Sequence, residues 1–447
     1  MTDIRKLIVL ASLAFVLFSC SKDDEGILVP NETETQLKER LIDLFGSLDA
    51  LSMPRSSDYE AIPSDQNNPL TADKVLLGKF LFHETGLALN PKEAIGEGTY
   101  SCASCHHAAA GFQSGIKQGI GEGGWGFGLN GESRIANPDY NLDSLDIQPI
   151  RTPTVLNTAY QNLMLWNGQF GALGMNVGTE ASWTPDTPKE TNNLGFEGVE
   201  TQAIAGLGVH RLQLDISIVN NGPYKDLFDS AFPDVVEEER YSIVNAGLAI
   251  AAFERTVMAS ESPFQKLLRN EIHELTEDEL NGALLFYGKA NCYECHSGPG
   301  LNGMEFHALG MNDLIEGNVI GSVDEATSKG RGGFTGDPDD DYTFKTPTLY
   351  NLKDVSFLGH GGSFNSVFEV IEYKNAADAE NPNIPDERLS SLFIPLGLST
   401  EEIEQLSLFI ENGLYDDNLS RYVPDATPLG SCFPNADQQS KSDLGCD

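Results

Sequence analysis

The stretch YSCASCHHAAAGF, residues 100–112, sets two cysteines three positions apart with a histidine directly after the second. NCYECHSGPG, residues 291–300, repeats the arrangement. Cys-x-x-Cys-His is the attachment signature of c-type haem. Two thiols add across the porphyrin's vinyl groups, and the adjacent imidazole turns onto the iron. Cys102, Cys105 and His106, and Cys292, Cys295 and His296, are therefore candidate cofactor-binding residues, with His106 and His296 as iron ligands. At this chain's own cysteine and histidine frequencies, roughly 0.002 such matches arise by chance. A thioredoxin-like redox pair needs no histidine and belongs in a strand–helix context that is not evident here. A structural zinc site needs a second ligand pair close by. His107, just outside the first motif, reads as a neighbour.

Outward from the motifs, the chain repeats itself. RTPTVLN at 151–157 recurs as KTPTLYN at 345–351, and LWNGQF at 165–170 faces LGHGGSF at 358–364. The offset is 190 positions from His106 to His296 and 194 from Arg151 to Lys345. Two related domains, each carrying one motif, account for three parallel repeats better than coincidence does.

With 447 residues, 67 acidic against 28 basic and a net charge of -39, the chain suits two or three soluble domains and repels nucleic acid. Arg5 and Lys6, the apolar run 7–18 and Ser19-Cys20 read as an export signal, 1–20, too short to span a membrane. LFSC resembles a lipobox, which would make Cys20 a lipid anchor and place the protein in the periplasm or on the cell surface. An anchor helix and linker, 21–69, follow. Leu37, Leu41, Leu44, Phe45 and Leu48 have helical spacing, and 56–69 is rich in Ser, Asp, Asn and Pro. Stretches 88–99 and 175–198 are expected to be surface insertions. Helical patterns return at 242–257, at 276–290 and after Ser399, the last two with capping-box spacing. The fold class expected is mainly all-α: two cytochrome c-like domains at 70–258 and 259–421, then a tail, 422–447. Cys432 and Cys446 in that tail remain after the motifs are assigned, and an exported chain allows them to pair.

The order of LLGKFLFHETGL, CASCHHAAAGF, RTPTVLN, LWNGQF, AIAAFERTV, SPFQKLL, FKTPTLYN and SFNSVFEVIEY resembles the bacterial dihaem cytochrome c peroxidases and the related MauG-type enzymes over roughly 70–421. The resemblance implies two covalently bound haem c groups. The one on His106 would react with hydrogen peroxide, and the one on His296 would pass in electrons from a small donor protein such as a cytochrome c.

It also assigns candidate residues. Trp166 stands where an indole lies between the haems, with simple packing as the alternative. Glu122 stands where many relatives carry a histidine that closes the first iron, so that haem is expected to be open; the surrounding glycine-rich run reads as a flexible loop. The family's distal glutamate is missing after Gln202-Ala203, leaving Gln213 by position and His210 by chemistry. Tyr373 and Lys374 straddle the sixth-ligand position of the second haem, with Met304 and Met311 as fallbacks, and His307 matches a position that is not usually a ligand. A calcium ion between the domains is common in relatives, but Arg151 stands where its asparagine ligand is expected. A homodimer is left open, as are two alternative functions: an oxidase that modifies a partner protein, and a non-catalytic electron carrier.

Overall fold

The computed structural model describes residues 31–219 and 222–446. The leader with Cys20 lies outside the described residues. The chain is mainly helical, with two short antiparallel hairpins, β1 Gly124–Trp125 on β2 Ile135–Ala136 and β3 Phe306–His307 on β4 Phe344–Lys345. Its main helices are α1 Glu32–Phe45, α2 Ala72–His83, α3 Gly198–Val209, α4 Ile243–Thr256, α5 Glu277–Phe286, α6 Val367–Ala376, α7 Thr400–Leu408 and α8 Gln438–Leu444. Capping side chains set where they begin. The Ser242 hydroxyl accepts from the Asn245 amide, and Thr276 with Glu279 and Ser399 with Glu402 form complete capping boxes. Among the described residues no helix is long and apolar enough to cross a membrane.

The duplication read from the motifs extends into the packing. In the first half α2 and α3 pack on α4, and in the second α5 and α6 pack on α7. The two main crossings use the same device, a glycine that lets backbones touch. A Cβ on Gly78 of α2 would sit 1.8 Å from the Ala249 carbonyl oxygen of α4, and one on Gly282 of α5 would sit 2.0 Å from that of Gln405 on α7. One apolar core runs through both halves, from Leu37 of α1 to Tyr422. Instead of standing apart, α1 lies on α5, where the Arg40 guanidinium donates to the Tyr287 carbonyl at 2.8 Å.

Two stretches differ from their expected character because polar side chains tie them down. In the linker Asn68 is fully buried, donating to the Leu248 carbonyl and to Glu200. In the expected insertion 175–198, Asn176 and Asn192 are fully buried and bond the backbone of Gly168, Gln169 and Gly171 beside Trp166. The tail folds back onto the first half, closed by a Cys432–Cys446 disulfide.

Candidate active site

Each Cys-x-x-Cys-His motif begins in a single 3-10 turn, Cys102–Ser104 and Cys292–Glu294, and the four cysteines are free thiols. The loop after each motif supplies a carbonyl to its histidine. His106 Nδ1 lies 3.4 Å from the Phe112 oxygen, and His296 Nδ1 lies 3.1 Å from both the Leu301 and Pro347 oxygens. A carbonyl can only accept, so Nδ1 carries the proton and Nε2 presents its lone pair. Burial, chiefly, pushes both imidazoles down to about 4, which keeps them neutral and ready to bind iron. Phe112 and Leu301 reach these positions only with left-handed backbone, φ 56° and 46°. The recurring Thr-Pro-Thr segment braces each loop: Thr154 Oγ1 donates to the Gly111 carbonyl at 2.6 Å, and Thr348 Oγ1 to that of Gly300 at 2.7 Å.

Between the halves the repeats exchange backbone hydrogen bonds. The Arg151 amide donates to the His360 carbonyl at 2.9 Å, and the pseudo-equivalent Lys345 amide donates to that of Trp166 at 2.7 Å. Trp166 Nε1 donates to the Arg151 carbonyl at 2.8 Å, and its ring meets His360 edge-on at 6.3 Å. Trp166 therefore sits on the seam between the two halves. Lys345 is buried there with Gln161 as its hydrogen-bond partner, and burial brings its ammonium down to about 7.

Beside the first motif lies a polar cluster. A Cβ on Gly119 would fall 3.1 Å from Cys105 Sγ, and one on Gly121 2.6 Å from Asp146 Oδ2, so the glycine-rich run passes directly over the attachment site. This run is a pinned hairpin and not a flexible loop. Glu122 is fully buried within it, accepting from the Lys92 amide at 2.6 Å, from the Tyr140 hydroxyl and from Arg211 Nε. With its oxygens so engaged, Glu122 orients Arg211 and is poorly placed to move protons. His210 Nδ1 donates to Asp146 Oδ2 at 2.7 Å. Burial opposes charge on His210, but Asp146 raises its pKa overall and is itself held below the usual carboxylate range. Gln213 is brought in only by its amide, which donates to the Leu87 carbonyl, while its side chain is exposed.

The model of the di-haem cytochrome c peroxidase family matches residues 72–273. MauG of Methylorubrum extorquens, a methylamine utilization protein, is 27% identical over 355 residues, 79% of this chain and 81% of its own. The cytochrome-c peroxidase IdrP1 of a Pseudomonas species (strain SCT) is 27% identical over 384 residues, 80% of this chain and 85% of its own. The crystal structure of a MauG-like protein associated with microbial copper homeostasis shares the fold, with a TM-score of 0.56, 24% identity, and coverage of 83% of this chain and 98% of that one.

These matches support the dihaem cytochrome c peroxidase and MauG superfamily. The peroxidases among these relatives support an oxidoreductase, and the di-haem family implies two haem c groups. The residues fit them: two free thiols and one neutral imidazole per motif, with Nε2 unprotonated. Around the second motif, the Tyr373 hydroxyl is committed to the Leu309 carbonyl at 2.5 Å, and its ring packs on Phe364 and Phe393. Lys374, one position on, brings its charge to bear on Cys292, Cys295 and His296. His307 Nδ1 bonds Ser390 Oγ at 3.2 Å, and its Nε2 is buried without a hydrogen-bond partner. Met304 and Met311 are half-buried.

Calcium fits less well. The buried Arg151 guanidinium donates to the carbonyls of Ser114, Ile116 and Lys117 and to Gln113 Oε1, so a cation already draws those oxygens together. A second cation among them would meet its charge. Among the described residues no group of three or more His, Cys, Asp and Glu is arranged to hold a metal ion. Sequence reasoning missed Asp146, Tyr140 and Arg134, because nothing in their spacing ties them to the motif. It also missed Glu254 on α4, whose charge is felt at Cys102 and which burial pushes up to about 8.

Proposed function

We propose that this protein reduces hydrogen peroxide to two waters at the haem held by His106. The two electrons would come from a small redox protein, the haem that His296 would hold supplying their entry and Trp166 lying at the seam between the halves, and two protons are taken up. The observation that carries this reading is the Asp146–His210 pair beside the first motif. Bound haem iron supplies the redox centre at which the O–O bond is cleaved. His210, with Nδ1 engaged by Asp146, keeps Nε2 to accept a proton from one peroxide oxygen and return it to the other. Arg211, fixed by Glu122, supplies positive charge where negative charge develops.

On the electron-transfer side Lys374 would be the further residue to hold the second haem's iron beside His296, since the Tyr373 hydroxyl is already engaged. The acidic surface favours a basic donor. The tail disulfide supports an exported setting, to which the leader and a lipid on Cys20 would deliver the chain. A MauG-like oxidase acting on a partner protein is the second reading, favoured by the lack of a glutamate at position 213.

Steady-state assay of the haem-loaded protein with a reduced small c-type cytochrome separates the two. The peroxidase reading expects two donors oxidised per peroxide over many turnovers. Donor oxidation that stops after about one turnover would overturn it and leave the second reading.

A further inference from the structure

The tail beyond residue 421 lies outside the repeat, yet it is built into the wall of the first haem site. Ser101 Oγ and Ser104 Oγ, which flank Cys102, both donate to the Pro434 carbonyl, at 3.0 and 3.1 Å. The Ala436 amide donates to the Thr99 carbonyl, and Thr85 Oγ1 to that of Cys432. One residue on from Ala436, Asp437 enters the glycine-rich hairpin. Its Oδ1 accepts from the Gly126 amide at 2.9 Å, and its Oδ2 faces Arg134 Nη1 at 3.3 Å. Asp443 accepts from the next two amides, Phe127 and Gly128.

Arg134 is the hub of that hairpin. It is 3% exposed and donates to the carbonyls of Ile120, Gly121 and Gly126, wrapping the turn that carries Glu122. Asp437 is the carboxylate with which it forms an ion pair. A buried guanidinium deprived of its counter-ion is costly. The line of support thus runs from Asp437 to Arg134, to the 120–126 backbone, to Glu122 and on to Arg211.

We propose that the C-terminal tail, through Asp437 and Arg134, is a positioning element of the first haem site that sets the hairpin over the attachment motif and, through Glu122, the Arg211 cation. The two residues touch neither substrate nor cofactor; they act through the loop they hold. This rests on the reading of the first haem as the peroxide site.

The test uses the full-length, haem-loaded protein carrying Asp437→Asn, which preserves size and an acceptor for Gly126 but removes the charge facing Arg134. Two readouts are taken: the electron paramagnetic resonance signal of each oxidised haem, and the rate at which the first haem reacts with peroxide. The expected result is an altered first-haem signal and a loss of about 10-fold or more in that rate, with the second-haem signal unchanged and partial recovery in Asp437→Glu. First-haem signal and rate as in the unsubstituted protein, even with a lowered melting temperature, would reduce the tail to a structural clasp and overturn the proposal. Equal disturbance of both haems would also overturn it.

Should Asp437→Asn fail to load haem, Arg134→Met with Asp437→Met removes the pair without stranding either charge. That variant is expected to fold with the same first-haem defect, and an unchanged first haem in it would overturn the proposal. If the unsubstituted protein consumes no peroxide, the functional reading fails, while the first-haem signal still tests the tail.

Discussion

At the residue scale, His210 is the group whose surroundings most constrain its chemistry. About a third of its side chain reaches solvent, yet its Nδ1 is fixed on a buried carboxylate. Asp146 raises the imidazole's pKa, so neutral Nε2 becomes available only as pH rises through that raised value. In Asp146→Asn burial and the neighbouring Arg211 charge remain, and both favour the uncharged ring. The acid limb of the peroxide reaction should therefore shift to lower pH, while the plateau rate falls by about 100-fold as the ring loses its orientation. A pH–rate profile with an unmoved acid limb would remove the pair from the mechanism.

Trp166 makes a different prediction. Trp166→Phe removes an indole whose Nε1–H bonds the Arg151 carbonyl, but no motif residue. Electron passage between the haems should slow with both haem spectra intact, as rapid-mixing spectrophotometry would record. The motif chemistry was legible because covalent attachment demands fixed local spacing. The partners of His210 were not, since Asp146 lies 64 positions away and hydrogen bonding imposes no sequence period.

At the scale of elements, helix boundaries followed local signals closely. Ser242, Thr276 and Ser399 cap the helices they were expected to start. The glycine-rich run misled because glycine advertises freedom, whereas what rigidifies it is Arg134, eight positions from Gly126. A lone arginine within GESRIAN was the available signal.

The glycines at the helix crossings carry a sharper expectation. Gly78→Ala drives a methyl to 1.8 Å from a backbone oxygen that cannot rotate away, so α2 and α4 must separate. The cost should be about 3 kcal/mol, and Gly282→Ala should behave alike between α5 and α7. Chemical denaturation measures both, and a change below about 0.5 kcal/mol, the size of an ordinary surface substitution, would mean that the crossings are looser than described.

Across the whole molecule, the repeat was readable from three sequence matches, but its consequences were not. The exchanged bonds Arg151 to His360 and Lys345 to Trp166 join the halves at pseudo-equivalent points, and one core runs through both. The tail, by contrast, has no counterpart in the repeat, and its main contact spans 303 positions. Its disulfide closes a loop over 14 positions. Cys432→Ser with Cys446→Ser should lower stability by about 3 kcal/mol while leaving both haem attachments in place. Thermal unfolding with and without reductant checks this, and an unchanged melting temperature would contradict the clasp.

The central claim is that the two haems divide the work, the first meeting peroxide and the second delivering electrons. It is tested most directly by rapid-freeze electron paramagnetic resonance of the haem-loaded, fully oxidised protein mixed with one equivalent of hydrogen peroxide. The expected result is an open, high-spin first haem whose signal is lost within the first freeze-quench points, without prior reduction, while the low-spin signal of the second haem is still present. A low-spin signal that vanishes first, or a high-spin signal indifferent to peroxide, would contradict it.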